Sequence, residues 1–294
     1  MQNKKIMVLG ATGYFGGKFV EYFRARNCDV NSSRVNILDT SDILAKISEY
    51  KPDIVINAAG KTGRPNVDWC EDHKSETIAS NVNGALNVAC VTSDLGIPLV
   101  HLGSGCIYDG DNNGKGFSES DEPNFFGSFY SRTKLYSEKL LMEFPHILQL
   151  RIRIPVEGVS SPKNVIDKLL KYEKIISVDN SFTVVEDFFP ASEKLIDLGA
   201  TGIFNMTNVG SMDHEYLMNS YTQIVDPSRK FTVMNLDELY QKFAKALRSN
   251  TVLNTDKREA LGVHMPEIHQ RTLEILEDYK KNKETSKISE AVAV

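Results

Sequence analysis

Lys5-Ile-Met-Val-Leu9, followed at once by Gly10-Ala-Thr-Gly13-Tyr-Phe-Gly16-Gly17, decides the fold. A short apolar run reads as a buried strand, and the Phe19, Val20, Phe23 pattern beyond the glycines has helical spacing. Strand, glycine loop and helix in that order make a phosphate cradle. Glycines allow the tight turn and let backbone N–H groups approach a pyrophosphate at the positive end of the helix, where a larger side chain would collide. Gly10, Thr12, Gly13, Tyr14, Phe15 and Gly16 are therefore candidate contacts to a dinucleotide. The spacing is Gly-x-x-Gly-x-x-Gly rather than the Gly-x-Gly-x-x-Gly of many dehydrogenases.

After the second strand, a carboxylate would pair with a free ribose hydroxyl, whereas an arginine accommodates a 2'-phosphate. The chain offers Asn31-Ser-Ser-Arg34 there, with no acid, so Ser33 and Arg34 point to NADPH rather than NADH. Further strand-like runs at 53–57, 99–102 and 147–154 alternate with helical segments near 15–25, 41–49, 75–95 and 130–143. This rhythm predicts an α/β protein with a Rossmann-like, doubly wound parallel sheet. Beyond Pro155 the alternation loosens, which predicts an NADP-binding domain over 1–154, rejoined by 183–204. A smaller C-terminal substrate lobe takes 155–182 and 205–282, and the polar end, 283–294, reads as a flexible tail.

The third strand ends in Asn57-Ala-Ala-Gly60, small residues over which a cofactor can lie, and the fourth ends near Ser104. Ligands bind beyond the carboxyl ends of such strands. Ser104, Cys106 and the helix carrying Tyr130 then converge on one crevice. Tyr130 and Lys134 lie four apart on that helix and share a face, so the ammonium can lower a phenol pKa that starts near ~10. That pair makes a proton donor for a ketone being reduced by hydride.

At 294 residues and 41% hydrophobic content the chain can bury a large core. A net charge of -5 with no sustained basic patch argues against nucleic acid as a partner. Cys28, Cys70, Cys90 and Cys106 are scattered, without zinc or disulfide spacing. No two histidines have zinc-ligand spacing either, so no metal is expected, and His101 and His146 read as structural. No window is apolar enough to span a membrane, and the amino terminus has no signal core, which makes cytoplasmic the default.

The order glycine loop, Asn-Ala-Ala-Gly, Ser and Tyr-x-x-x-Lys resembles the extended short-chain dehydrogenase/reductase superfamily. Longer stretches sharpen the likeness: Thr62-Gly-Arg-Pro-Asn-Val-Asp-Trp-Cys-Glu71, Pro123-Asn-Phe-Phe-Gly-Ser-Phe-Tyr130, Arg151-Ile-Arg-Ile-Pro155 and Arg248-Ser-Asn250. These resemble the bifunctional UDP-4-keto-6-deoxyglucose 3,5-epimerase/4-reductases and, more distantly, dTDP-4-dehydrorhamnose reductase, from about Lys5 to Gln270. The resemblance implies inversion of both carbons flanking a sugar ketone, through an enolate, and then NADPH-dependent reduction to UDP-L-rhamnose. It assigns Cys106 and Lys168, in Pro162-Lys-Asn-Val-Ile-Asp-Lys168, to inversion as acceptor and donor, with the order of the two roles open. Tyr130, Ser104 and Lys134 fall to reduction; Ser104 stands where better-matched relatives carry threonine.

By the same resemblance Arg248 meets the nucleotide pyrophosphate, although Leu247 replaces the family's proline. Asn164 lies in the Lys168 block and is a substrate-side candidate. Arg64, Asn66 and Trp69 either close over the sugar or base, or form a loop pinned by the single tryptophan. Helices 75–95 and 130–143 pair across a homodimer axis in relatives; a monomer burying them internally is the alternative. The chain begins directly at the glycine-loop strand, so a separate 4,6-dehydratase is expected to supply the nucleotide sugar. Two other functions compete: a reductase without inversion, and a non-catalytic NADP-binding regulatory subunit. The nucleotide base is not legible.

Overall fold

The computed structural model describes the backbone of residues 1 and 3–292, and the side chains of 1 and 3–285. The first half runs β1 (Lys5–Leu9), α1 (Tyr14–Arg24), β2 (Asp29–Asn31), α2 (Thr40–Tyr50), β3 (Ile54–Asn57), α3 (Trp69–Asp72) and α4 (Lys74–Ile78). A π-helical turn, Ala79–Asn83, joins α4 to α5 (Gly84–Asp94); β4 (Leu99–Ser104), α6 (Phe129–Leu141) and β5 (Ile147–Ile152) follow. The second half contains β6 (Pro155–Val156), α7 (Val165–Leu169), β7 (Lys174–Ile176), β8 (Thr183–Val184), α8 (Val185–Asp197) and β9 (Gly202–Asn205). It ends with α9 (His214–Ile224), β10 (Thr232–Met234), α10 (Leu236–Lys242), α11 (Asp256–Ala260) and α12 (Ile268–Val292).

Six strands form one parallel sheet in the order β2-β1-β3-β4-β5-β9, the doubly wound arrangement. Its direction of winding reverses between β1 and β3, and that switch point opens a crevice at their carboxyl ends. Ile6, Val8, Ile54, Ile56, Val100 and Leu150 are wholly or almost wholly buried, because helices cover both faces of the sheet. On one face α1 and α8 interlock through Phe15, Phe19, Phe188 and Phe189 in edge-to-face contacts. On the other, Ile43 and Ile47 of α2 and Val88 of α5 pack against Met7, Leu9 and Val55.

A second core lies beyond β5, where Val156, Ile166, Phe182, Leu217, Met218, Tyr221, Ile275 and Leu276 cluster among α7, α9 and α12. It supports the element that carries Lys168. Helix α12 continues to Val292, through most of the stretch expected to be a flexible tail; residues 293–294 of that stretch lie outside the described residues. From Glu267 to Val292 the sequence contains neither proline nor glycine, so nothing in it breaks the helix. No helix among the described residues is long and apolar enough to cross a membrane.

Candidate active site

The glycine loop sits at the switch point. Gly10 has φ +78°, and a Cβ there would lie 2.6 Å from the Ala59 nitrogen; one on Gly16 would lie 2.1 Å from the Gly10 oxygen. Both positions exclude every side chain and bring α1 against the loop. Gly13 begins α1 with no side-chain cap and no acid in the first turn, so the positive helix end faces the crevice uncompensated. The chain thus fits a dinucleotide pyrophosphate at this point. Thr12 and Gly13 are exposed at the loop tip. Phe15 points into the core, so its backbone alone can serve a ligand. The Tyr14 hydroxyl donates to Glu157 Oε1 at 2.5 Å.

Ser33 and Arg34 are exposed just past β2, where a ribose substituent would lie. A second guanidinium reaches the same loop: Arg24 Nη2 donates to Val30 O and to Ser32 Oγ, both at 3.2 Å. The sequence pattern did not single out Arg24, which reads as an ordinary basic residue in the last turn of α1. Asn57 is fully buried; its Oδ1 accepts from Ala59 N at 3.1 Å and fixes the turn that carries Ala58, Ala59 and Gly60 under the crevice. Its amide lies 3.4 Å from His101 Nδ1, whose ring is held neutral by burial and by the Lys134 charge, well below the usual histidine range.

Ser128 caps α6 by accepting from Ser131 N, and this start places Tyr130 and Lys134 on the buried side of the helix. Lys134 Nζ donates to Leu102 O at 2.9 Å. Burial pushes its pKa down to about 8. The expected lowering of the phenol by Lys134 is absent from the structure. Burial raises the Tyr130 pKa, the Cys106 and Cys70 charges add to that, and the Ser104 hydroxyl and Arg153 pull it back without offsetting it. The ammonium is turned toward the β4 backbone, where it meets Leu102 O.

Ser104, at the end of β4, accepts from Cys106 N at 3.2 Å. Cys106 is half-exposed at the crevice. Lys168, on α7, is pushed down to about 8 by burial and by Lys163 and Lys171, while the Cys106 charge opposes the shift. Tyr130, Lys134 and Lys168 all sense that one sulfur. Asn164 differs from its expected role. It is fully buried, caps α7, and donates to Glu157 O and Val159 O, so it builds the turn that presents Lys168 rather than facing a ligand.

Arg64 is exposed on the loop before α3, and its charge depresses Lys163 across the crevice after burial has done so. Asn66 Oδ1 accepts from Asp68 N, and Trp69 stacks on His73 with ring centroids 3.9 Å apart. Arg248 also departs from expectation. Both terminal nitrogens bond the Asp68 carboxylate at 2.8 Å, a bidentate pair that pins this loop to residues 246–248 and occupies the fork meant for a pyrophosphate. The pair spans 180 residues, so no local pattern discloses it.

Besides Arg24, two further residues missed from the sequence stand next to the expected ones. Arg153 Nη1 lies 2.8 Å from Cys106 Sγ, and Glu157, almost wholly buried, holds Tyr14 and the Lys18 ammonium at 2.6 Å. The available signal for the first was the pair Arg151 and Arg153, two cations at strand spacing in an apolar run.

Comparison with known proteins gives a consistent picture. A bifunctional dTDP-4-dehydrorhamnose 3,5-epimerase/dTDP-4-dehydrorhamnose reductase of Arabidopsis thaliana is 38% identical over 89% of this chain and 88% of its own length. A trifunctional UDP-glucose 4,6-dehydratase/UDP-4-keto-6-deoxy-D-glucose 3,5-epimerase/UDP-4-keto-L-rhamnose-reductase of the same plant is 36% identical over 90% of this chain; the chain spans only 40% of that longer protein. The crystal structure of a UDP-rhamnose synthase from Acanthamoeba polyphaga mimivirus superposes with TM-score 0.90 at 32% identity, covering 94% of this chain and 99% of that one. The profile of the RmlD substrate binding domain matches residues 4–190. With that match over more than half its length, and relatives of this identity along nearly all of it, the chain belongs to the RmlD substrate-binding-domain family, as the sequence resemblance to nucleotide-rhamnose epimerase/reductases implied.

Proposed function

We propose that this protein is an NADPH-dependent enzyme that converts UDP-4-keto-6-deoxy-D-glucose to UDP-L-rhamnose by inverting C3 and C5 and reducing the C4 ketone. The observation that carries this is that Tyr130, Lys134 and Lys168 all lie within electrostatic reach of the Cys106 sulfur, at a sheet edge whose glycine loop fits a dinucleotide. A reductase alone has no use for a thiol and a second, half-buried lysine at the ketone. Ser33 and Arg34, joined by Arg24, would hold the 2'-phosphate, and Gly10, Gly13 and Gly16 the pyrophosphate. Bound NADPH would supply the hydride for C4.

Cys106 and Lys168 work on the carbons flanking the ketone, one removing a proton from one face and the other returning a proton to the opposite face. Tyr130 then protonates the ketone oxygen as it gains charge, with Ser104 sharing the hydrogen bond. Burial keeps the phenol protonated, which suits a donor. The substrate is the product of a 4,6-dehydratase. Exposed Tyr136 and Leu140 on α6 provide the apolar face we assign to a homodimer, and a reducing cytoplasm would preserve Cys106 as a thiol.

Cys106→Ser and Lys168→Ala are each expected to slow solvent deuterium incorporation into the sugar about a hundredfold or more, with NADPH binding retained. Continued exchange in both variants would contradict the assignment. Lys168 as donor also sets a pH dependence. A lysine with a pKa near 8 loses its ammonium as pH rises through that value, so exchange falls by about tenfold per pH unit above it. Exchange isolates this group from Lys134, which titrates in the same range but serves reduction. An exchange rate that holds level well above pH 8 would rule out Lys168 as the donor.

A further inference from the structure

Arg153 is almost wholly buried, yet among the described residues no carboxylate lies within 4.0 Å of its guanidinium. Its Nη1 donates to Cys106 Sγ at 2.8 Å and to Ser249 Oγ at 3.1 Å; its Nη2 donates to Ser249 O at 2.9 Å and to Asn180 Oδ1; its Nε has no partner. Every other bond is to a neutral oxygen. A buried cation without a counter-ion is costly, and here a single group in contact can carry negative charge: the sulfur.

The chain is shaped for this contact. Gly105, between Ser104 and Cys106, has an ordinary φ and could carry a side chain as far as its backbone is concerned. A Cβ there would lie 2.7 Å from Leu253 Cδ1, 2.9 Å from Arg153 Cγ and 3.0 Å from its Cδ, so the glycine leaves room for both side chains and lets the arginine stem run alongside to reach the thiol. Asn180, Ser249 and the β4–β5 pairing, which sets Ser104 opposite Ile152, fix the guanidinium from three sides.

We propose that Arg153 is a positioning residue for inversion: it holds the Cys106 sulfur as the anion, which makes Cys106 the proton acceptor and Lys168 the donor. This rests on the proposed function and settles the order of roles that the resemblance left open. In balance, the thiol first releases its proton to water. The thiolate takes the proton from the carbon beside the ketone, the C–H electron pair forms the enolate double bond, and the carbonyl pair moves onto oxygen. Lys168 delivers a proton to the opposite face of the same carbon, the electron pairs return, and the new S–H and the neutral amine regain their starting states by exchange with water. The charged or titratable groups facing the sulfur are Arg153 from the β5 end, Tyr130 and Lys134 from α6, and Lys168 from α7.

The test is alkylation of Cys106 by iodoacetamide in the full chain, followed by peptide mass spectrometry so that exposed Cys90 does not interfere. At neutral pH, Arg153→Met should slow Cys106 alkylation about tenfold, the scale of one lost charge-assisted hydrogen bond, and Arg153→Lys should restore most of the rate. The gap should close at alkaline pH, where the thiolate forms without help. Equal rates in wild type and Arg153→Met, or a gap that persists unchanged at alkaline pH and so reflects access alone, would overturn the proposal. If Arg153→Met does not fold, Gly105→Ala, which pushes the arginine stem aside, should show the same slowing, and an unchanged rate there would refute it. Deuterium exchange by the wild type is read separately: its absence would sink the proposed inversion while the alkylation result still decides whether Arg153 holds the thiolate.

Discussion

Tyr130→Phe is expected to lower the single-turnover rate of NADPH oxidation by about 10²- to 10⁴-fold, while deuterium continues to enter the sugar at close to the wild-type rate. In the proposed reaction the two halves draw their protons from different groups, so the loss should be selective. Tyr130 is 9% exposed, and the Ser104 hydroxyl at the end of β4 pulls its pKa down against the effect of burial. Phenylalanine preserves the ring volume and the packing of α6, so the fold should be little affected. Burial raises the phenol's pKa rather than lowering it, so in the free protein Tyr130 holds its proton throughout the neutral range. Reduction close to the wild-type rate in the variant would show that another group protonates the ketone.

Glu138→Ala is expected to cost roughly 3–5 kcal/mol of stability, the penalty for stranding a buried charge. Arg151 bonds Glu138 through Nε at 2.7 Å and Nη2 at 2.8 Å, both side chains at most 4% exposed. The pair joins α6 to β5 one turn beyond Lys134, so it anchors the helix that presents Tyr130. Losing the carboxylate leaves a guanidinium inside the protein with Asn205 Oδ1, at 3.4 Å, and the Tyr108 ring as poor substitutes. Urea denaturation would measure the cost, and a change below ~1 kcal/mol would contradict it. Replacing both residues, as in Glu138→Leu with Arg151→Met, should recover much of the loss, because no charge then remains to be solvated.

The parallel sheet was legible because its signals are local. Lys5–Leu9 with its glycines, Ile54–Asn57 and Leu99–Ser104 each announce a buried strand within a few residues. The placement of Ser104 at a strand end, and of Tyr130 and Lys134 on the buried face of one helix, was legible for the same reason. What escaped depends on distant partners. Asp68 claims Arg248 across 180 residues, Glu157 claims Tyr14 across 143, and Arg153 reaches Cys106 across 47. Asn164 was misjudged because residue type does not distinguish a polar group that caps a short helix from one that meets a ligand. The continuous helix expected over 75–95 is broken by the wider turn at Ala79–Asn83, where Asn81 turns inward to bond Lys61 and Thr133. That distortion serves tertiary contacts, which periodicity does not encode.

The most direct measurement is NMR of the product formed when the protein is incubated with UDP-4-keto-6-deoxy-D-glucose and NADPH in deuterated water, with no other enzyme present. Two chemistries at one ketone predict UDP-L-rhamnose carrying solvent deuterium at C3 and C5, with the hydrogen at C4 coming from NADPH. Unchanged sugar, with NADPH consumed only after a separate epimerase is added, would contradict a site that both inverts and reduces.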